Sequence, residues 1–186
     1  MGNGVVGVGY EGRSLEEFLA LLQAEGVQVL VDARLIPRCS RRGFSRNALA
    51  ETLEAIGISY VHYEILGVPE FDQVGFRGDR AAVASASTRY RSRLSTPVAQ
   101  RVIRDLVGVA RHRRVAVMTM FADADRCHRG TLMAEIARRT QVVTPIDALL
   151  EEFPAPQSAR VLDNDPRSQI ERDIDALLAE VEAGKH

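Results

Sequence analysis

A chain of 186 residues with 46% hydrophobic and 26% charged residues has the composition of a folded globular protein with room for a proper core, not that of a disordered chain. A net charge of −1 excludes a wholesale polyanion binder, and no apolar run reaches the roughly 18 residues of a membrane span. The start "MGNGVVGVGYEG" lacks the features of a signal peptide, so a cytoplasmic protein is expected, with no membrane partner and with Cys39 and Cys127 as thiols.

"VVGVGY" reads as a short apolar strand. In "SLEEFLALLQAEG" the spacing of Leu15, Phe18, Leu19 and Leu22 predicts a helix lying on a sheet, begun by a capping box of Ser14 and Glu17 and stopped at Gly26. "VQVLVDARL" is a near-continuous apolar run, as in a strand buried on both faces. "SRNALAETLEAIG" repeats the helix pattern with Leu49, Leu53 and Ile56, and "ISYVHYE" is a third strand. From Gly67 to Ser95 the periodicity is lost, apart from a short helix around Tyr90, and a long loop or lid is expected over 67–95. Thr96-Pro97 opens a helix through Val98, Val102, Leu106 and Val109, proline being favoured at the first helical position. "RVAVMTMFAD" is the fourth clear strand, followed by a helix from about Arg126 to Arg139. "QVVTPI" is a weak fifth strand, and Asp165-Pro166 starts an amphipathic helix within a C-terminal extension over 160–186.

This order of strands and helices, without repeats or a second core, predicts one α/β domain over 1–186. It would hold a mostly parallel sheet of about five strands with helices on both faces, a three-layer Rossmann-like or flavodoxin-like sandwich. Ligands of such sheets sit beyond the carboxyl ends of the strands. The residues there are Tyr10, Glu11, Asp32, Arg34, His62, Glu64, Asp123 and the triplet Cys127-His128-Arg129.

Each candidate motif has a structural alternative. "GVGYEG" matches G-x-G-x-x-G, with Asp32 about 20 residues on, as a ribose-binding acid would be. The capping box, however, starts the helix after Gly12, and the glycines overlap the strand, so a tight turn is favoured and no cofactor is expected. Cys127-His128-Arg129 falls at a helix start, with Asp125 as N-cap. There the helix dipole favours anions and lowers a thiol's pKa, although a buried cysteine in a capped helix has the same spelling. "PRCSRRGFSR" misses the Cys-x5-Arg spacing of phosphatases by one place but remains a candidate cationic loop with Arg41 and Arg42. Asp32 and Arg34 share one face of a strand, either as a ligand-holding pair or as an ion pair anchoring that loop. Histidines at 62, 112, 128 and 186 form no metal motif, and no metal is expected.

The ordered set "VGYEGRSLEEFLALL", "VLVDARLIP", "GFSRNALAETLEAIGISYVHYEILG", "YRSRL" and "CHRGTLMAEIA", over roughly residues 5–145, resembles the bacterial domain-of-unknown-function 488 family (DUF488). The resemblance implies an α/β domain whose site uses Asp32, Arg34 and the Cys127-His128-Arg129 helix start; it supplies no reaction. The chain departs from it at Thr119 and Phe121, where a Cys-x-Glu is implied, and at Cys39, where a serine is implied.

An enzyme acting on a small anionic or phosphorylated substrate, such as a nucleotide or nucleoside derivative, is therefore expected, with hydrolase or transferase chemistry. Asp32, Glu11, Cys127 and His128 are the candidate acid-base or nucleophilic groups, and Tyr10, Arg34, Arg41, Arg42 and Arg129 the candidate binding groups. The alternative is a non-catalytic module that binds nucleic acid through the arginine-rich loops; a homodimer is compatible with either.

Overall fold

A computed structural model describes residues 3–142 of the chain. The expected C-terminal helical extension lies outside the described residues. So does most of "QVVTPI", whose first two residues belong to the preceding helix rather than to a strand.

Four strands, β1 (Gly4–Gly9), β2 (Val29–Asp32), β3 (Ser59–His62) and β4 (Arg114–Thr119), form one parallel sheet in the order β1-β4-β2-β3. The fold is thus the expected α/β class, with four strands rather than about five among the described residues. The last of these strands in sequence is inserted between the first two. Its register sets Gly9 beside Thr119 and Asp32 beside Met118. The carboxyl ends of β1, β4 and β2 therefore finish at one level, and the segments leaving the three strands meet there.

Alternation along the strands divides the core into two halves. Val8, Leu30, Ala116 and Met118 face α1 (Leu15–Ala24) and α2 (Arg46–Ala55), packing with Phe18, Leu22, Leu49 and Leu53. The capping box of α1 is present as read, with Ser14 N donating to Glu17 Oε2 at 2.7 Å and Glu17 N to Ser14 Oγ at 3.1 Å. On the opposite face α5 (Pro97–Ala110) and α6 (His128–Val142) lie against β1 and β4. The buried stripe of α5 is Ala99, Val102, Ile103, Leu106, Val107 and Ala110, while Val109 is exposed.

The stretch from Gly67 to Ser95 is a pair of helices, α3 (Glu70–Phe76) and α4 (Arg80–Leu94), not a long loop. Asp79 caps α4, accepting from Ala82 N at 2.8 Å, and α4 buries Ala86, Tyr90 and Leu94 at a spacing of four. Its apolar stripe is one residue wide and begins with an alanine, so small and polar neighbours hide it from a periodicity count. No helix among the described residues is long and apolar enough to cross a membrane.

The glycines of "GVGYEG" serve packing and a turn. A Cβ on Gly7 would lie 3.1 Å from Arg129 Cδ, and one on Gly9 would lie 2.0 Å from the Phe121 carbonyl oxygen. Gly12 takes a φ of 75° in the turn before α1. A Gly9→Ala substitution collides with backbone and should cost about 1–3 kcal/mol. Gly108→Ala, inside α5 where a Cβ meets nothing within 4 Å, should gain up to about 1 kcal/mol. Urea midpoints moving in opposite directions for the two variants check both statements.

Candidate functional site

The sequence-predicted residues gather at the carboxyl edge of the sheet, but in two clusters on opposite faces. The strand parity that sets Asp32 with Leu30 toward α1 and α2 sets Thr119 toward α6.

The first cluster is built on Asp32, which is completely buried. Its carboxylate accepts from Arg34 N at 3.0 Å, Arg34 Nε at 2.9 Å, Arg34 Nη2 at 2.5 Å and Tyr60 Oη at 2.6 Å. Burial first, then the negative charge of Asp32, raises the Tyr60 pKa and keeps its phenol protonated as a donor. Arg34 sends Nη1 on to the Phe44 carbonyl at 2.9 Å and to Tyr10 Oη at 3.3 Å. Burial works against this guanidinium's charge, yet the hydrogen bonds and charge of Asp32 outweigh it and raise its pKa. Tyr10 stacks on Phe44 with ring centroids 4.5 Å apart and donates to Cys39 Sγ at 3.7 Å. Arg41 lies over both rings and donates to the carbonyls of Tyr10 (3.0 Å) and Arg13.

This cluster anchors the loop between β2 and α2. Arg34 ties Asp32 to Phe44, and Arg41 ties the same loop to the turn after β1. Both arginines are engaged with protein acceptors, and Arg42 is exposed. Glu11 is exposed as well, and its carboxylate accepts from Ala122 N at 3.1 Å, joining the turns that follow β1 and β4. Tyr60 and His62 carry more of this arrangement than the sequence pattern suggests. His62 Nε2 lies 2.8 Å from the Arg34 carbonyl oxygen. The available signal was the alternation in "ISYVHYE", which sets Tyr60 and His62 on one face two residues apart.

The second cluster is built on Cys127. Helix α6 starts at His128, later than expected, and Asp125 is not its cap; instead Asp125 N donates to Asp123 Oδ1 at 2.9 Å in the turn before it. Cys127 stands at the position just before the helix, where its sulfur faces the backbone N–H of Arg129. Sγ lies 3.7 Å from His128 Nδ1 and 3.3 Å from Thr119 Oγ1. His128 Nε2 is 3.0 Å from the Ala33 carbonyl oxygen. A carbonyl can only accept, so Nε2 carries a proton, and in the neutral ring the lone pair is on Nδ1, facing the sulfur. Burial pushes the Cys127 pKa up, but the hydrogen bond and charge of His128, the Arg129 N–H and the Thr119 hydroxyl together lower it below the ordinary thiol value.

Arg129, 2% exposed, donates from Nη1 to Val8 O at 2.9 Å, Thr119 Oγ1 at 2.6 Å and Phe121 O at 2.6 Å, and from Nη2 to Ala122 O at 2.7 Å. It is a staple across β1, β4 and the loop after β4, not a free anion clamp. Cys127 and His128 are 3% and 5% exposed, roofed by the α3–α4 pair. The Tyr90 ring meets His128 edge-on at 5.4 Å, Phe76 lies 6.3 Å from it, and Tyr90 Oη donates to Leu66 O at 2.5 Å. Over the loop, Arg77 lies above the Phe121 ring at 5.2 Å, and Arg126 donates to the Arg77 carbonyl at 2.7 Å. Among the described residues no group of three or more His, Cys, Asp or Glu side chains is placed to hold a metal ion.

Residues 14–136, more than half of the chain, match the family described as Domain of unknown function DUF488. The chain belongs to the DUF488 family. The matched span takes in α1 to α5, every strand except β1, and the first turns of α6, so both clusters of this DUF488 protein fall largely within it. No curated protein and no solved structure matches the chain.

The Asp32 cluster generates a stability prediction. Asp32→Asn leaves the buried Arg34 guanidinium without its counter-charge and should cost about 1–3 kcal/mol. The loop over residues 38–46 should then exchange its amide hydrogens faster. An unchanged urea midpoint would show that the pair does not anchor the loop.

Proposed function

We propose that this DUF488 protein is an enzyme that uses Cys127 as a nucleophile and His128 as its proton partner, acting on a small anionic substrate. The observation that carries the reading is the line Sγ–Nδ1–imidazole–Nε2–carbonyl, with 3.7 Å between sulfur and Nδ1 and 3.0 Å between Nε2 and Ala33 O. A nucleophile, a base, and a third group that fixes the base's tautomer form the arrangement that nucleophilic catalysis requires. Here a backbone carbonyl supplies the third part.

In the proposed reaction Nδ1 takes the proton of the thiol. The thiolate then attacks the electrophilic atom of the substrate, a bond forms to sulfur, and the leaving group departs with the proton held on Nδ1. Water or an acceptor molecule displaces the sulfur in a second step and regenerates the thiol, which gives hydrolase or transferase chemistry. Negative charge developing on the substrate would lie at the positive end of α6, where charge of that sign is stabilised. The α3–α4 roof excludes water from the thiol and has to part for substrate to enter.

The test is the rate of alkylation by iodoacetamide against pH, in a Cys39→Ser background where Cys127 is the remaining thiol. The rate should rise through a midpoint below the ordinary thiol value, and His128→Asn should move that midpoint up. A midpoint at or above the ordinary value, in a folded protein, overturns the reading. A screen of small anionic metabolites by thermal shift would then identify binders, since a ligand at about 100 times its Kd adds about 2.7 kcal/mol. Turnover of any hit should be abolished by Cys127→Ser.

A further inference from the structure

We infer that Thr119 is a positioning residue of the thiol centre: its hydroxyl, oriented by the Arg129 guanidinium, donates a hydrogen bond to the Cys127 thiolate alongside those of His128 and the start of α6. This rests on the reading of Cys127 as the nucleophile and names the group that prepares it.

Val115, Val117 and Thr119 share one face of β4, where a third valine would suit the strand equally well. The threonine is fully buried, and it stands where β4 reaches the start of α6. Its hydroxyl serves groups outside the strand, as an acceptor of the buried Arg129 guanidinium and as a neighbour of Cys127.

The direction of that hydroxyl is set by its partners. Arg129 Nη1, 2.6 Å from Thr119 Oγ1, can only donate, so it occupies a lone pair of the hydroxyl oxygen. The hydroxyl has one proton to place, and Cys127 Sγ is 3.3 Å away. A thiolate can only accept. Once the thiol has lost its proton, the chain therefore runs one way, from Arg129 N–H to Thr119 oxygen and from Thr119 O–H to sulfur. The positive guanidinium polarises the hydroxyl and strengthens the second bond.

Thr119 shares this task with the other groups facing the sulfur, among which His128 is foremost. From α6 come His128 Nδ1, at 3.7 Å, and the backbone N–H of Arg129. From α4 comes Tyr90, whose phenolic proton is given to the Leu66 carbonyl. Burial, and then the charge of Cys127, hold that phenol protonated. Burial lowers the Arg129 pKa from its ordinary value, while the charges of Cys127 and then of Asp123, in the loop after β4, act to support the guanidinium.

The experiment titrates the ultraviolet absorbance of the thiolate against pH in the Cys39→Ser background, which needs no substrate. Thr119→Val removes the donor and keeps the strand's shape. It should raise the midpoint by about one pH unit or more, leaving about tenfold less thiolate at pH values well below it. Thr119→Ser should bring the midpoint back. Thr119→Ala, which lacks the hydroxyl but cannot clash, must give the same rise even if the valine variant fails to fold. A folded Thr119→Val or Thr119→Ala protein whose midpoint stays at the depressed value of the parent overturns this inference and leaves the nucleophile in place. A parent midpoint that is not depressed overturns both.

Discussion

Arg129 brings a full positive charge beneath the sheet and surrounds it with oxygen: the carbonyls of Val8, Phe121 and Ala122, and the Thr119 hydroxyl. Burying a charge without compensation is prohibitive, so these acceptors have to be in place whenever the helix is docked. Together they span the end of β1, the end of β4 and the loop beyond. The guanidinium therefore fixes where α6 begins relative to both strands. Gly7 and Gly9 are part of the same constraint, because the first leaves space for the arginine stem and the second lets the Phe121 carbonyl approach β1.

From that anchored start comes the position of the thiol. Cys127 immediately precedes the first residue of α6, so its sulfur falls at the first turn, beside the ring of His128. The imidazole is held at its other nitrogen by the carbonyl of Ala33, the residue after β2. Because β4 is inserted between β1 and β2, the helix that comes after β4 can reach both neighbours. A strand at the sheet's edge would have met a neighbour on one side alone.

The same edge divides its charged residues between two duties. On the α1 and α2 side, Asp32, Arg34, Tyr60 and Arg41 consume their hydrogen-bonding capacity on one another and on backbone, which gives a rigid loop. On the α6 side the sulfur lies beside the Thr119 hydroxyl and the imidazole is held by the Ala33 carbonyl. The α3–α4 pair closes over this second side with Tyr90 and Phe76, so the thiol and the imidazole lie under aromatic cover while the anchoring pair lies under the sheet's main core.

Local patterns in the chain were enough to locate the four strands, the helices α1, α2, α5 and α6, and the edge of the sheet at which the candidate residues gather. Apolar runs, stripes at helical spacing, a capping box and a proline at a helix start each act over a few residues, so each is legible in a linear text. The placement of Cys127 and His128 at a helix start was legible for the same reason. Hidden was everything that depends on which side of the sheet a group faces and on its neighbours there. Asp32, Arg34, His128 and Arg129 read as one converging site because a linear pattern carries no information about how two strands are placed in one sheet. Folding separated them, turned Arg129 from a clamp into a staple, and gave α4 a reason to be helical through three buried residues. Thr119 shows the limit most directly. In the sequence it is a β-branched residue like its neighbours, and its role exists because strand insertion brings its hydroxyl between a guanidinium and a sulfur.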